Sequence, residues 1–269
     1  MSAFNGESKP VASALPASIP LGPSPPSSVP TATLGSPTAE DKVNIKQDPI
    51  QYYAKASFMI TYILLLTTAT ITFIEALTTT IPGVRHVLNL ETAISIIAGY
   101  FYSVFLGQIE AFSKDNKQID WSDITKTRYV DWSITTPIML FVLSIVLSMN
   151  VKKTINLSFL ILIIVLNYIM LLTGYLGEVK VLSRAVALFG GFAAFFAMFY
   201  LIFINFIQPK YVFANTILYV FYIIIWGLYG VAYMFSEEYK NIFLNILDCI
   251  AKCFVGLGLW VYYTKTISV

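Results

Sequence analysis

Charge is what this chain has least of. Aspartate, glutamate, lysine and arginine make up 12% of its 269 residues, against roughly 25% in an ordinary soluble domain. A solvated, charge-covered surface is therefore excluded. The net charge of +2 is too small to attract nucleic acid, and no basic cluster with interleaved aromatics stands out, so no nucleic-acid partner is expected. Cysteine is nearly absent. Cys249 and Cys253 sit one helical turn apart in an apolar segment, where a disulfide is geometrically poor and two thiols alone make no metal site. They read as small buried apolar side chains. The start of the chain lacks a continuous apolar centre behind a basic end, which argues against a conventional cleaved signal peptide. The run from Pro10 to Pro37 lacks charge altogether and is built largely from Pro, Ser, Ala, Thr and Gly. It has too little bulky apolar surface to offset the entropy of ordering, so residues 1–50 are expected to form a disordered tail.

What the chain has in excess is apolar length. Hydrophobic residues reach 57%, and uninterrupted stretches long enough to cross a bilayer recur from Tyr52 onward. The spacing predicts helices at 54–78, 89–111, 123–149, 155–177, 180–207, 212–235 and 241–265, since backbone groups in lipid must be satisfied within their own segment. Short connections force neighbours to run antiparallel. The expected fold is an all-α membrane protein over 51–269, a seven-transmembrane-helix bundle. With the N-terminus outside, the inner connections carry Arg85, Lys152, Lys153, Lys210 and Lys265 with Glu91 the only acid nearby. The outer ones mix Lys114, Lys117 and Lys240 with Asp115, Asp120, Glu178, Glu237 and Glu238. That asymmetry predicts N-terminus out and C-terminus in.

Ionisable groups inside spans are costly, and each asks for a partner or a function. The third helix carries Arg128 and Asp131 one turn apart, with Thr135 a further turn along and placed to hydrogen-bond the Asp131 carboxylate. The seventh carries Asp248 and Lys252, again one turn apart, with Lys252 near mid-span. A lone lysine there would shed its proton, whereas two facing carboxylates could hold it charged. The plain alternative is a buried ion pair that pins two helices together. The chemical one is that a desolvated lysine forms Schiff bases with aldehydes, and a protonated Schiff base needs the same counterions.

Here the sequence resembles the microbial rhodopsins, the retinal proteins related to bacteriorhodopsin and proteorhodopsin, and some of its features are similar to those of giant-virus rhodopsins. The third helix reads Arg128-Tyr129-Val130-Asp131-Trp132-Ser133-Ile134-Thr135-Thr136-Pro137, matching R-Y-x-D-W-x-x-T-T-P. The seventh reads Leu247-Asp248-Cys249-Ile250-Ala251-Lys252, matching L-D-x-x-[AS]-K. Trp226-Gly227-Leu228-Tyr229 on the sixth gives W-x-x-Y, and Met170 to Glu178 resembles the fourth helix of proteorhodopsin-like members. The resemblance implies all-trans retinal held as a Schiff base on Lys252. It implies Asp131 as main counterion and proton acceptor, Asp248 as second counterion with Tyr102 as its partner, and Arg128 holding the cluster from outside. It further implies Trp132, Thr136, Trp226 and Tyr229 along the polyene, Met170, Thr173 and Gly174 at the ionone ring, Met139 at a colour-tuning position, and Phe189 where the family has a pocket tryptophan. Relatives commonly form homo-oligomers in the lipid bilayer. Nothing in the resemblance implies an enzyme.

Departures from the pattern matter. The position eleven residues after Asp131, where pumps of this family carry a carboxylic donor, is Val142. The outer glutamate pair is altered, with Lys240 at one member's place. The usual proline after Tyr229 is Gly230, and Asn167 replaces a buried aspartate on the fourth helix. Glu91, read as the start of the second helix, is either a substitute proton donor or a carboxylate favouring a helix N-terminus. The expected function is outward light-driven proton transport with Asp131 as acceptor and Glu91 as donor. A light-gated cation channel is the first alternative, since Glu91, Ser95, Tyr102, Ser103 and Glu110 make a partly polar stripe, and a photosensor with a signalling partner is the second. Chloride transport is disfavoured because Asp131 would repel the anion, and sodium transport because Asn and Gln are missing near the counterion.

Overall fold

A computed structural model describes residues 49–114 and 118–267. Helix α1 spans Pro49–Thr78, α2 Pro82–Lys114, α3 Trp121–Val151, α4 Leu157–Glu178, α5 Arg184–Ile202 and α6 Phe213–Ala232. Then come α7 (Glu237–Asp248) and α8 (Val255–Ile267), which form one continuous rod through an intervening π-helical segment, Cys249–Phe254. A second π segment, Phe203–Ile207, prolongs α5. Seven of these rods are long and apolar enough to cross a membrane. The expected tail lies outside the described residues, except that Pro49 and Ile50 already belong to α1.

Sequence neighbours pack against one another around a ring that closes where α1 meets α7. The ring is uneven. In the rod of α7 and α8, 61% of the most apolar window is buried, and in α3 56%, against 11% in α4 and 17% in α6. The two rods that carry the ionisable motifs are thus the interior ones. Outward faces keep large apolar side chains, Phe73, Tyr100, Leu172, Phe189 and Tyr200 among them, as a lipid-facing surface requires.

Several boundaries differ from the expected ones, each for a local reason. Helix α2 starts at Pro82 rather than 89, because proline suits the first helical position and lacks only an N–H that would be unpaired there. Arg85 on its first turn donates to the Thr79 carbonyl at 2.7 Å, covering the end of α1. The correction bears on function, since Glu91 lies well inside α2 and its helix-terminus reading falls. Helix α5 starts at Arg184, four residues later than expected, where Ser183 accepts from the Val186 N–H and Lys180 sits at φ 62° in the linker. Helix α7 starts at Glu237 rather than 241, with Glu237 and Glu238 complementing the positive end of the helix. That change draws Lys240 out of the expected connection and into the bundle, where it is 1% exposed. Glu178, also assigned to a connection, is the buried last residue of α4.

Candidate functional site

Lys252 sits in the π segment and is 1% exposed. Its Nζ donates to Asp131 Oδ2 at 2.7 Å and lies 3.5 Å from Asp248 Oδ2. Both carboxylates are fully buried. Asp248 is heavily supported: Tyr229 donates to Oδ1 at 2.6 Å, while Tyr102 and Arg128 Nη1 reach Oδ2 at 2.8 and 3.2 Å. Arg128 also donates to Asn245 Oδ1 at 2.7 Å and Asn241 Oδ1 at 3.3 Å. The rings of Phe58, Tyr102 and Phe105 surround its guanidinium at 5.0 to 5.6 Å. Two cations thus face two anions with almost no solvent, a balance in which removing one member leaves an uncompensated buried charge.

The two acids differ in how fully their oxygens are engaged. Every Asp248 oxygen is engaged, whereas Asp131 Oδ1 has no hydrogen-bond partner among the described residues. Thr135 does not fill that place. Its hydroxyl donates to the Asp131 backbone carbonyl at 2.9 Å, not to the carboxylate, because a threonine one turn on reaches the i−4 carbonyl most easily. Asp131 is therefore the less engaged of the two carboxylates.

A cavity opens from Lys252 toward α4 and α5. Its walls are mostly apolar and include Trp132, Thr136, Met139, Met170, Gly174, Trp226 and Tyr229, all expected there. Two expected members are not. Phe189 points outward and is 74% exposed, while Phe192 and Phe195, three and six residues on, face the cavity. Thr173 turns its hydroxyl back to the Met170 carbonyl at 3.0 Å. Its methyl lies against Gly190, where an added Cβ would come within 3.1 Å, so it belongs to the α4–α5 contact. Tyr102 bonds Asp248 and is not a wall residue. The missed residues had a signal in the helix period. Asn241, Asn245, Asp248 and Lys252 recur at steps of four, three and four, which puts them on one face.

Gly230, where the resemblance leads one to expect proline, has a packing reason: a Cβ there would fall 2.5 Å from Phe192 Cζ. Phe192 occupies the room that a larger residue would need. Asn167, fully buried, donates to Thr136 Oγ1 at 2.8 Å and so fixes a wall residue from behind. Val142 is buried among apolar side chains. Glu91 is 2% exposed. Its Oε2 lies 3.1 Å from where a Cβ on Gly256 would stand, and the Thr68 methyl is equally close to that point. Gly256 is one turn beyond Lys252, about 6 Å along the helix.

An apolar group anchored at a buried lysine, with Trp132 and Trp226 in its walls, is what this lining suits. The model of a family described as bacteriorhodopsin-like proteins matches residues 53–266. The chain belongs to that family. A bacteriorhodopsin-like protein carries retinal as a Schiff base on a lysine, and this one is a microbial rhodopsin. The solved viral rhodopsin OLPVRII is 41% identical to it, with a TM-score of 0.73 over 81% of this chain and 99% of that one. A proton-pumping rhodopsin, AR2, of the marine alga Acetabularia acetabulum is 18% identical, with a TM-score of 0.66 over 81% and 97%. A blue-light-absorbing proteorhodopsin from Med12 is 20% identical, with a TM-score of 0.62 over 81% and 99%. The latter two likenesses bear on the fold alone. Among curated proteins nothing matches.

Proposed function

We propose that this rhodopsin moves protons outward in the light, with Lys252 as the retinal-bearing residue, Asp131 as proton acceptor and Glu91 as the donor that restores the proton. Retinal, when bound, supplies light absorption and a change of shape at the lysine nitrogen. The protein's own groups do the rest. Asp131, 2.7 Å from Lys252 Nζ, takes the proton, and its unengaged Oδ1 gives the neutral acid a place to carry it. Asp248 stays anionic because Arg128, Tyr102 and Tyr229 hold it. Arg128 separates the acceptor's proton from the α6–α7 end of the bundle, which in this reading is the outer one, with the N-terminus outside.

The observation that carries the reading is the position of Glu91. It lies on the opposite side of Lys252 from Arg128, buried, and among the described residues no cation pairs with it. An isolated carboxyl in such surroundings costs least in its protonated form, the form a donor needs. The bare Gly256 leaves it room against the helix that bears Lys252. Glu91→Gln is expected to slow return to the ground state several-fold, followed by flash absorption, and azide should restore the rate. Recovery at the parent's rate without azide would remove Glu91 from the mechanism.

A second reading, a light-gated cation channel, rests on a different observation. Between α1, α2 and α7 run the buried hydroxyls of Thr61, Thr68, Thr72, Thr92 and Ser95, and that of Ser95 makes no hydrogen bond among the described residues. Voltage clamp separates the two. A pump passes outward current at zero voltage in symmetric solutions, whereas a channel passes none there and reverses with the ion gradient.

A further inference from the structure

The cavity that begins at Lys252 also contains charge at another place. Glu178, the last residue of α4, and Lys240, on the first turn of α7, both line it. They form a buried ion pair: Lys240 Nζ donates to both Glu178 oxygens at 2.9 Å, with side chains 1% and 3% exposed. Lys240 reaches Glu237 Oε1 as well, at 2.8 Å, and that same oxygen accepts from Arg184 at 3.1 Å. Thr125 bonds the other Glu237 oxygen at 3.3 Å. The quartet of Glu178, Lys240, Glu237 and Arg184 is electrically neutral. Its two buried members, though, stand inside the bundle, where screening by water and salt is weak.

The cavity runs from Lys252 to the α4–α5 wall, where Gly174 lines it, so a chain bound at Lys252 and following that wall would bring its far end near Gly174. Glu178 is one helical turn from Gly174 on the same face of α4. Tyr233 ties the two levels together, its hydroxyl 3.4 Å from the Gly174 carbonyl and its ring 5.9 Å from Lys240 Nζ. The geometry points to the Glu178–Lys240 pair as a determinant of the wavelength this protein absorbs. Light absorption by a protonated Schiff-base polyene moves positive charge away from the nitrogen toward the far end. An anion near that end stabilises the excited distribution and moves absorption to longer wavelength; a cation does the reverse. Asp131 and Asp248 set the field at the nitrogen, and Glu178 with Lys240 sets it at the other end. The inference rests on the family's cofactor and is independent of whether the protein is a pump or a channel.

The test is a charge cycle read as the absorption maximum of the retinal-loaded full chain at neutral pH. Glu178→Gln leaves the quartet one unit more positive and should shift the maximum to shorter wavelength by on the order of 10 nm, the scale of a unit charge acting across about a nanometre of low-screening interior. Lys240→Gln makes it one unit more negative and should shift it the other way. The double variant restores neutrality and should return close to the parent. Shifts of both single variants in one direction, or neither exceeding about 2 nm, would overturn the proposal, because field and pocket shape predict different patterns. Glu237→Gln and Arg184→Gln change half-exposed positions that a folded bundle tolerates. They should give smaller shifts to shorter and longer wavelength respectively, so a buried variant that fails to fold still leaves a decisive pair.

Discussion

Asp131→Asn should yield a protein that still binds retinal, absorbs at longer wavelength and no longer carries protons. The outcome follows from which carboxylate is the nearer and less engaged. Asp131 is the closer acid to Lys252 Nζ, at 2.7 against 3.5 Å, and the only one of the two with an oxygen free to take a proton. Asparagine keeps the shape and can still accept a hydrogen bond from the lysine nitrogen, so folding and retinal binding survive through Asp248. Losing the nearest anion destabilises positive charge at the nitrogen more in the ground state than in the excited state, and absorption moves to the red. Asp248 is the poorer acceptor, because the bonds from Arg128, Tyr102 and Tyr229 favour its anionic form. Removal of a positioned proton acceptor typically costs 10²-fold or more in the transfer step, so outward photocurrent at zero voltage should fall by about that factor. Undiminished current in a visibly red-shifted Asp131→Asn protein would show that the proton leaves by another group.

How much of this was legible beforehand depends on the kind of signal each residue left. The seven spans followed from apolar length alone, and the pairing of Lys252 with Asp131 and Asp248 followed from the cost of burying charge. Errors gathered at span ends. Hydropathy treats a charged residue beyond an apolar run as part of a connection, so it placed Glu178 and Lys240 outside, yet each neutralises the other inside. Pro82 extended α2 through Arg85 and His86 for a reason that hydropathy does not register. Motif matching failed where position and face part company. Phe189 stands where the resemblance has a pocket tryptophan, but the face of α5 toward the cavity runs through Leu188, Gly191, Phe192 and Phe195, a helical period that was readable without the motif. The choice of oxygen on Asp131, and the seat of Glu91 over Gly256, depend on contacts between distant helices. No local pattern encodes those.

Lys252→Ala should abolish visible absorption and, measured without retinal, also destabilise the bundle. The first effect is chemical, because no other amine at the head of the cavity stands between two intramembrane carboxylates. Lys240 lines the same cavity, but all three of its N–H donors are directed to Glu178 and Glu237. The second effect is electrostatic. Alanine leaves Asp131 and Asp248 facing each other at 0% exposure with Arg128 the single cation for both, and breaking a buried ion pair from one side typically costs about 3–5 kcal/mol. Thermal unfolding of the retinal-free protein should therefore begin at a clearly lower temperature than that of the retinal-free parent. Adding Asp131→Asn to Lys252→Ala removes the uncompensated charge and should recover most of the loss, although the same substitution alone destabilises the parent. That reversal of sign is a coupling of about 0.5–3 kcal/mol between residues in direct contact. Additive effects of the two substitutions would mean that the Lys252 site is held by packing, and that the charge balance drawn from its geometry does not govern it.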